Sequence, residues 1–159
     1  MAGRPHELLR LLTRAERLSV RRVQSVLDEF DCSVEAWRVL DLLSDGRGHN
    51  MSAIADGVFL PMSSLTKIVD QLVDQNLVYR RIDPADRRRV LAQLTPRGLQ
   101  RRQQMDRRMR ADLGDVDPMF TEDDGEQLRT LLARLADALD DAGAALTTPR
   151  AERPVERGR

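Results

Sequence analysis

The sequence is short of several residue types, and each shortage removes a class of function. Cys32 is the only cysteine in 159 residues, so no intrachain disulfide can form and no cysteine-rich metal site exists. The histidines are two, His6 and His49, too few for a metal centre. No Cys/His or Ser/His arrangement with a supporting acid is visible, nor a phosphate-cradling glycine-rich loop. The expectation is a protein that is not an enzyme and takes neither metal nor cofactor. No apolar run approaches bilayer length and the first residues lack a signal-peptide pattern, which points to the cytoplasm and away from membranes. Aromatic residues make up 3% and charged residues 33% of the chain, as expected of helices with solvated charged faces. The length suits a single domain, 1–159.

The net charge is zero, but the charge is not spread evenly. From residue 80 to 110 stand eleven arginines against Asp83, Asp86 and Asp106; from 111 to 141 stand ten acidic residues against Arg129 and Arg134. Local charge, not the whole-chain sum, decides which face meets a polyanion. Within the basic stretch, the runs around Leu77–Ile82 and Val90–Leu94 flank a turn with Asp83-Pro84 and Asp86-Arg87-Arg88-Arg89. That pattern predicts a hairpin with guanidinium groups at its tip, suited to a nucleic-acid backbone and minor groove.

Upstream, Met51–Asn76 predicts two short helices joined by a tight turn. Ser52 is read as the N-cap of a helix over Ala53–Val58. The turn follows through Phe59, Leu60 and Pro61, with Pro61 in the first turn of the second helix, where no N–H is needed. That helix buries a stripe of Leu65, Ile68, Val69, Leu72 and Val73. Its other face carries Met62, Ser63, Ser64, Thr66, Lys67, Asp70 and Gln71, and Asn76 ends it. Lys67 is the only lysine in the chain. Helix, turn, helix and basic hairpin together predict a winged helix-turn-helix, a fold that is mainly α with a small β wing.

These residues resemble the MarR family of transcription regulators. The likeness rests on Ser52-Ala53-Ile54-Ala55, on Ser63 through Leu72, on Asn76-Leu77-Val78 with Arg80, and on a wing signature of Asp86-Arg87-Arg88 followed by Leu94-Thr95-Pro96-Arg97-Gly98. It extends over roughly Glu7 to Leu146. Three positions depart from the family pattern: Pro61 replaces a Ser or Thr cap, Asn76 replaces Gly, and Gly57 interrupts the first helix at a modest stability cost.

The resemblance implies a homodimer on double-stranded, palindromic operator DNA, with the N- and C-terminal helices as the dimer region. Residues 7–30 and 121–146 carry the apolar stripes for that role, with Thr121 and Asp124 forming a capping box. The reading head would span 34–98, a connecting helix 96–114 starting at Thr95-Pro96 and ending through Gly114–Asp117 and Pro118, and a disordered tail 147–159. The expected DNA contacts are Met62, Ser63, Ser64, Thr66 and Lys67 in the major groove, Ser52 on a phosphate, Arg88 in the minor groove, and Arg87 and Arg89 on phosphates. Asp86 is expected to pair with Arg88 and set its direction. The family also implies a repressor released by a small aromatic or phenolic effector. Its candidate lining is Leu18, Arg22, Trp37, Leu40, Leu43, His49 and Met109, with core packing the competing role for Trp37. Two alternatives are a redox sensor acting through Cys32, and a winged helix that binds protein.

Overall fold

A computed structural model describes residues 5–113 and 121–147. By their contacts the residues group into two units, 1–113 and 114–159. The first begins with α1 (Pro5–Leu27), closed by a 3-10 turn at Asp28–Phe30. It continues through α2 (Val34–Leu42), a 3-10 turn at Leu43–Asp45, β1 (His49–Asn50), α3 (Met51–Val58), α4 (Met62–Asp74), β2 (Val78–Ile82), β3 (Val90–Leu94) and α5 (Pro96–Leu113). The second contains α6 (Glu122–Thr147). The strands form one antiparallel sheet in the order β1-β3-β2. Ile82 opposite Val90 is the last pair before the wing tip.

Leu27, Leu40, Leu43, Ile54, Leu65 and Met105 have no exposed surface, and Val39, Val69 and Val78 join them. One core therefore ties the end of α1, the helix pair α3–α4 and the middle of α5 together. The predicted stripe of α4 is buried at Leu65, Val69 and Leu72, while Ile68 and Val73 pack partly against the same cluster.

Local chemistry sets the element ends. The cap of α3 is Asn50, not Ser52: Asn50 Oδ1 accepts the Ala53 N–H at 2.9 Å, and Ser52 sits inside the first turn. Both residue types cap well, but Asn50 is the one with the extended backbone a cap requires. At the other end Phe59 turns left-handed (φ 55°) with its side chain 92% exposed. Gly57 is not a mere interruption. A Cβ there would collide with Leu42 Cδ1, so glycine lets α3 lie close against α2. Asn76 takes the left-handed conformation (φ 55°) just past Gln75, the residue that closes α4. Leu77 N–H then donates back to Leu72 at 2.9 Å.

The Leu-Thr-x-x-Gly segment joins the sheet to α5. Buried Thr95 donates its hydroxyl to the Asn76 carbonyl at 2.8 Å and accepts the Gly98 N–H at 2.9 Å. Gly98 is obligatory, because a Cβ would overlap the Leu77 carbonyl oxygen. In α6, Thr121 and Asp124 form the reciprocal capping box: Thr121 N–H donates to Asp124 Oδ2 at 3.0 Å and Asp124 N–H to Thr121 Oγ1 at 3.2 Å. The Thr121 hydroxyl, donating to Asp124 Oδ2 at 2.7 Å, and then the Thr121 N–H hold the Asp124 carboxyl below the usual range. Thr147, expected in the tail, is the last residue of α6. The Gly114–Pro118 stop and the tail beyond Thr147 lie outside the described residues.

Candidate nucleic-acid interface

Met62, Ser63, Ser64, Thr66 and Lys67 are all exposed on the outer face of α4. Pro61 offers that helix no side-chain cap, so its first-turn N–H groups keep the pull on anions that a helix start exerts. Thr66 donates its hydroxyl hydrogen to Met62 O at 2.9 Å. It therefore presents a methyl group and an acceptor oxygen outward, not a donor. Ser52 is exposed in the first turn of α3.

The wing tip is two successive Asx turns. Asp83 Oδ1 accepts the Ala85 N–H at 2.9 Å and Asp86 Oδ1 accepts the Arg88 N–H at 3.0 Å. Asp83 N–H closes the loop onto Arg89 O at 2.9 Å. The expected partnership of Asp86 with the Arg88 side chain is not what forms. Asp86 holds the Arg88 backbone, and its carboxylate pairs with the Arg89 guanidinium at 3.3 Å. The reason is reach: a carboxylate two residues back sits directly under the backbone N–H it caps. Arg87, Arg88 and Arg89 are exposed.

Sequence reading missed the strap that joins helix to wing. Arg80 on β2 pairs with Asp70 on α4 at 2.6 Å. Both residues stood in the matching segments, but no spacing rule links a helix to a strand ten residues on. A second brace also went unseen: Tyr79 OH donates to Gln93 Oε1 at 2.8 Å, and Gln93 Nε2 donates to Gly46 O at 2.7 Å.

Part of the basic stretch is taken up by carboxylates of the same chain. Arg102 pairs with Asp41 at 2.6 Å, Arg108 with Glu29 at 2.8 Å, and Arg110 with Asp106. The bond to Glu29 raises the Arg108 pKa further. Arg102 lashes α5 to α2 and Arg108 lashes it to the turn after α1, while Arg110 pairs within α5, so the count of positive residues overstates the charge facing outward. What stays exposed at the tip is the trio of wing arginines.

The effector candidates do not converge. Leu40, Leu43 and Met109 are buried in the core. Arg22 is engaged with the Asp112 carboxylate at 2.8 Å and its carbonyl at 3.0 Å. His49 lies in β1 and contacts Asp45 at 2.9 Å; hydrogen bonds from the Arg47 N–H and His49 help hold the Asp45 carboxyl down. Leu18 is exposed on α1. Trp37 packs partly against the core, with Nε1 buried and lacking a partner among the described residues. The cavities found among the described residues separate Leu40, Leu43 and Leu18 from one another. The resemblance had marked these positions, and tertiary packing takes Leu40, Leu43 and Met109 for the core.

Burial pushes the Cys32 thiol up to about 11, against the opposing charge of Arg101. It is therefore almost wholly protonated near neutral pH, and the redox alternative loses its nucleophile. Among the described residues no group of His, Cys, Asp and Glu could hold a metal, and no helix is long and apolar enough to cross a membrane.

Residues 33–90 match the family model described as the MarR family. A Thauera aromatica protein, described as a candidate transcriptional regulatory protein for the hcr operon, is 36% identical over 62 residues, covering 39% of this chain and 37% of that one. The match thus spans little more than a third of that relative. The HTH-type transcriptional regulator MhqR of Bacillus subtilis is 28% identical over 62% of this chain and 68% of its own. The crystal structure of a MarR-family transcriptional regulator from Rhodococcus sp. RHA1 superposes with a TM-score of 0.75 at 26% identity, over 86% of this chain and 96% of that one. The helix-turn-helix and the wing tip lie inside the matched segment, and the fold resembles that of a MarR-family regulator over most of this chain, so the reading head at 33–90 is similar to that of the MarR family of winged helix-turn-helix regulators.

Proposed function

We propose that the protein is a cytoplasmic, sequence-specific DNA-binding transcription regulator that works as a homodimeric repressor and is released by a small molecule. The observation that carries this reading is the Arg80–Asp70 strap. It fixes an arginine-tipped wing beside a helix whose outer face is small, polar and uncapped. Met62, Ser63, Ser64, Thr66 and Lys67 would read the major groove, with Met62 against a thymine methyl. Ser52, Arg87 and Arg89 would hold phosphates, and Arg88 would enter a narrow minor groove. A winged helix specialised for protein partners has no need of such a tip.

Leu8, Leu9, Leu11 and Leu18 on α1, and Leu128, Leu131, Leu132 and Leu139 on α6, are exposed. Rows of leucine on terminal helices call for a covering surface, and a second copy of the chain supplies one. Two-fold symmetry would also match a palindromic operator.

Genomic fragments retained by the purified protein at two salt concentrations test the reading. A shared palindrome with half-sites about one helical turn apart is expected. Salt-sensitive retention without a common motif would count against sequence-specific reading, and no retention would remove DNA binding altogether.

A further inference from the structure

Arg80 and Arg81 are neighbours on β2 that end on opposite sides of the wing. Side chains alternate along a strand and share a face with the residue directly opposite. Val78, Arg80 and Ile82 therefore share one face with Leu94, Ala92 and Val90. That face is buried at Val78 and Ala92 and tied to α4 by Arg80. Tyr79 and Arg81 share the other face with Gln93 and Leu91. There Tyr79 and Gln93 bond to each other, whereas Arg81 makes no ion pair among the described residues.

Arg81 is also held differently from the arginines of the tip. It is half-buried, and its Nε is shut off from solvent without a hydrogen-bond partner among the described residues. Closing off one edge of a guanidinium costs the fold stability, and no carboxylate of the described chain offsets it. What the arrangement supplies is direction. With the inner edge packed away, the outer edge is left to meet an anion, and little side-chain freedom remains to be lost when it does.

A ribbon whose tip lies in a minor groove has a phosphate backbone on either side. With α4 in the major groove, the first backbone runs between α4 and the wing, along the Arg80 face. On that face Arg80 is taken by Asp70, and the outermost rung is the exposed apolar pair Ile82 and Val90. The second backbone runs along the opposite face, where Arg81 is the charged residue of β2. Arg81 stands two residues behind Asp83, about 7 Å at the rise of a strand, and a minor groove is about 7.5 Å deep. A tip seated in the groove therefore leaves Arg81 near the rim, where the phosphates stand.

We propose that Arg81 holds a backbone phosphate on the side of the wing turned away from α4. The contact rests on the DNA-binding reading above. It carries no sequence information itself; it fixes how the wing sits while Arg88 enters the groove.

Salt dependence tests the contact. On the genomic fragment retained most strongly, affinity is measured from about 50 to 200 mM salt. Arg81→Met keeps an unbranched apolar stem and removes the charge. It should leave the melting temperature unchanged and weaken binding at least about fivefold, with the salt slope flattened by about one for each wing engaged. The loss should be equal on A·T-rich and G·C-rich flanks, unlike that of Arg88→Ala. Arg81→Lys should keep the slope. Arg17→Met, which removes an exposed arginine of α1 that also has no ion pair among the described residues, should leave slope and affinity alone. An unchanged slope in Arg81→Met, beside a salt-sensitive wild type, would overturn the proposal and leave DNA binding standing. So would an equal effect of Arg17→Met, or a fall in melting temperature that accounts for the lost affinity. No retention by the wild type would remove DNA binding and the Arg81 contact together.

Discussion

α4 is held from behind, by Leu65, Val69 and Leu72 in a core that reaches to α5. The wing tip, residues 83–89, has no buried residue behind it, and its shape comes from Asp83 and Asp86 folding the backbone over themselves. One half of the proposed reading surface is thus built by long-range burial and the other by hydrogen bonds spanning two residues. Changes to the first half should act through stability, and changes to the second should alter binding while the fold survives. The Arg80–Asp70 pair, the sheet register and the buried Val78 and Ala92 at the base of the strands connect the two.

The harshest test of the buried half is Gly98→Ala, which forces a methyl group into the Leu77 carbonyl. Backbone on both sides cannot step aside, so a loss of at least about 3 kcal/mol in urea unfolding is expected; a wild-type midpoint would refute the close approach. Next comes Leu65→Ala, with an expected loss of about 2–5 kcal/mol and a fall in DNA affinity no larger than the unfolded fraction explains. On the local half, Arg88→Ala should leave thermal unfolding unchanged and weaken operator binding by about 1–3 kcal/mol, mostly at A·T-rich flanks. A drop in melting temperature without a change in binding would reverse the comparison. Asn50→Ala should cost about 1 kcal/mol of stability through the lost cap, whereas Ser52→Ala should cost almost none. Smallest of all, Arg87→Ala should lower the salt slope of binding by about one while affecting all sequences alike.

Most of this architecture was legible because burial leaves a period in the sequence. The stripe of α4 follows from spacing, and the two apolar runs flanking the turn and the Thr95-Pro96 start of α5 follow from residue type. Errors arose where two residues compete for one job, or where the partner is distant in sequence. Asn50 and Ser52 are both good caps, and the two-residue strand β1, too short to show alternation, decided between them by holding Asn50 extended. Asp86 was recognised, but a side chain aimed at its own backbone looks the same in sequence as one aimed at a neighbouring guanidinium. Gly57 was read as a loss of helix propensity, and Gly98 only as part of a signature, because the Leu42 side chain and the Leu77 carbonyl beside them are distant in sequence. The effector set scatters over the described residues for a deeper reason: apolar residues on helices say that something covers them, not whether it is a ligand or the rest of the chain.

The basic stretch teaches a related lesson about charge. Arg80, Arg102, Arg108 and Arg110 each face a carboxylate of this same chain. An arginine-rich segment can therefore be partly mortar, with fewer of its members turned toward a partner than its count suggests.

Lys67 stands exposed on the outer face of α4 and carries the only side-chain amine in the chain. An acylating reagent that reacts with side-chain amines therefore has one address, in the middle of the surface assigned to the major groove. Acetylation at that atom would erase a positive charge there, and the increment on the peptide that carries Lys67, distinct from that on the N-terminal amine, would count how many molecules had been altered. The recognition helix can thus be dyed, blocked or footprinted in the unmutated protein.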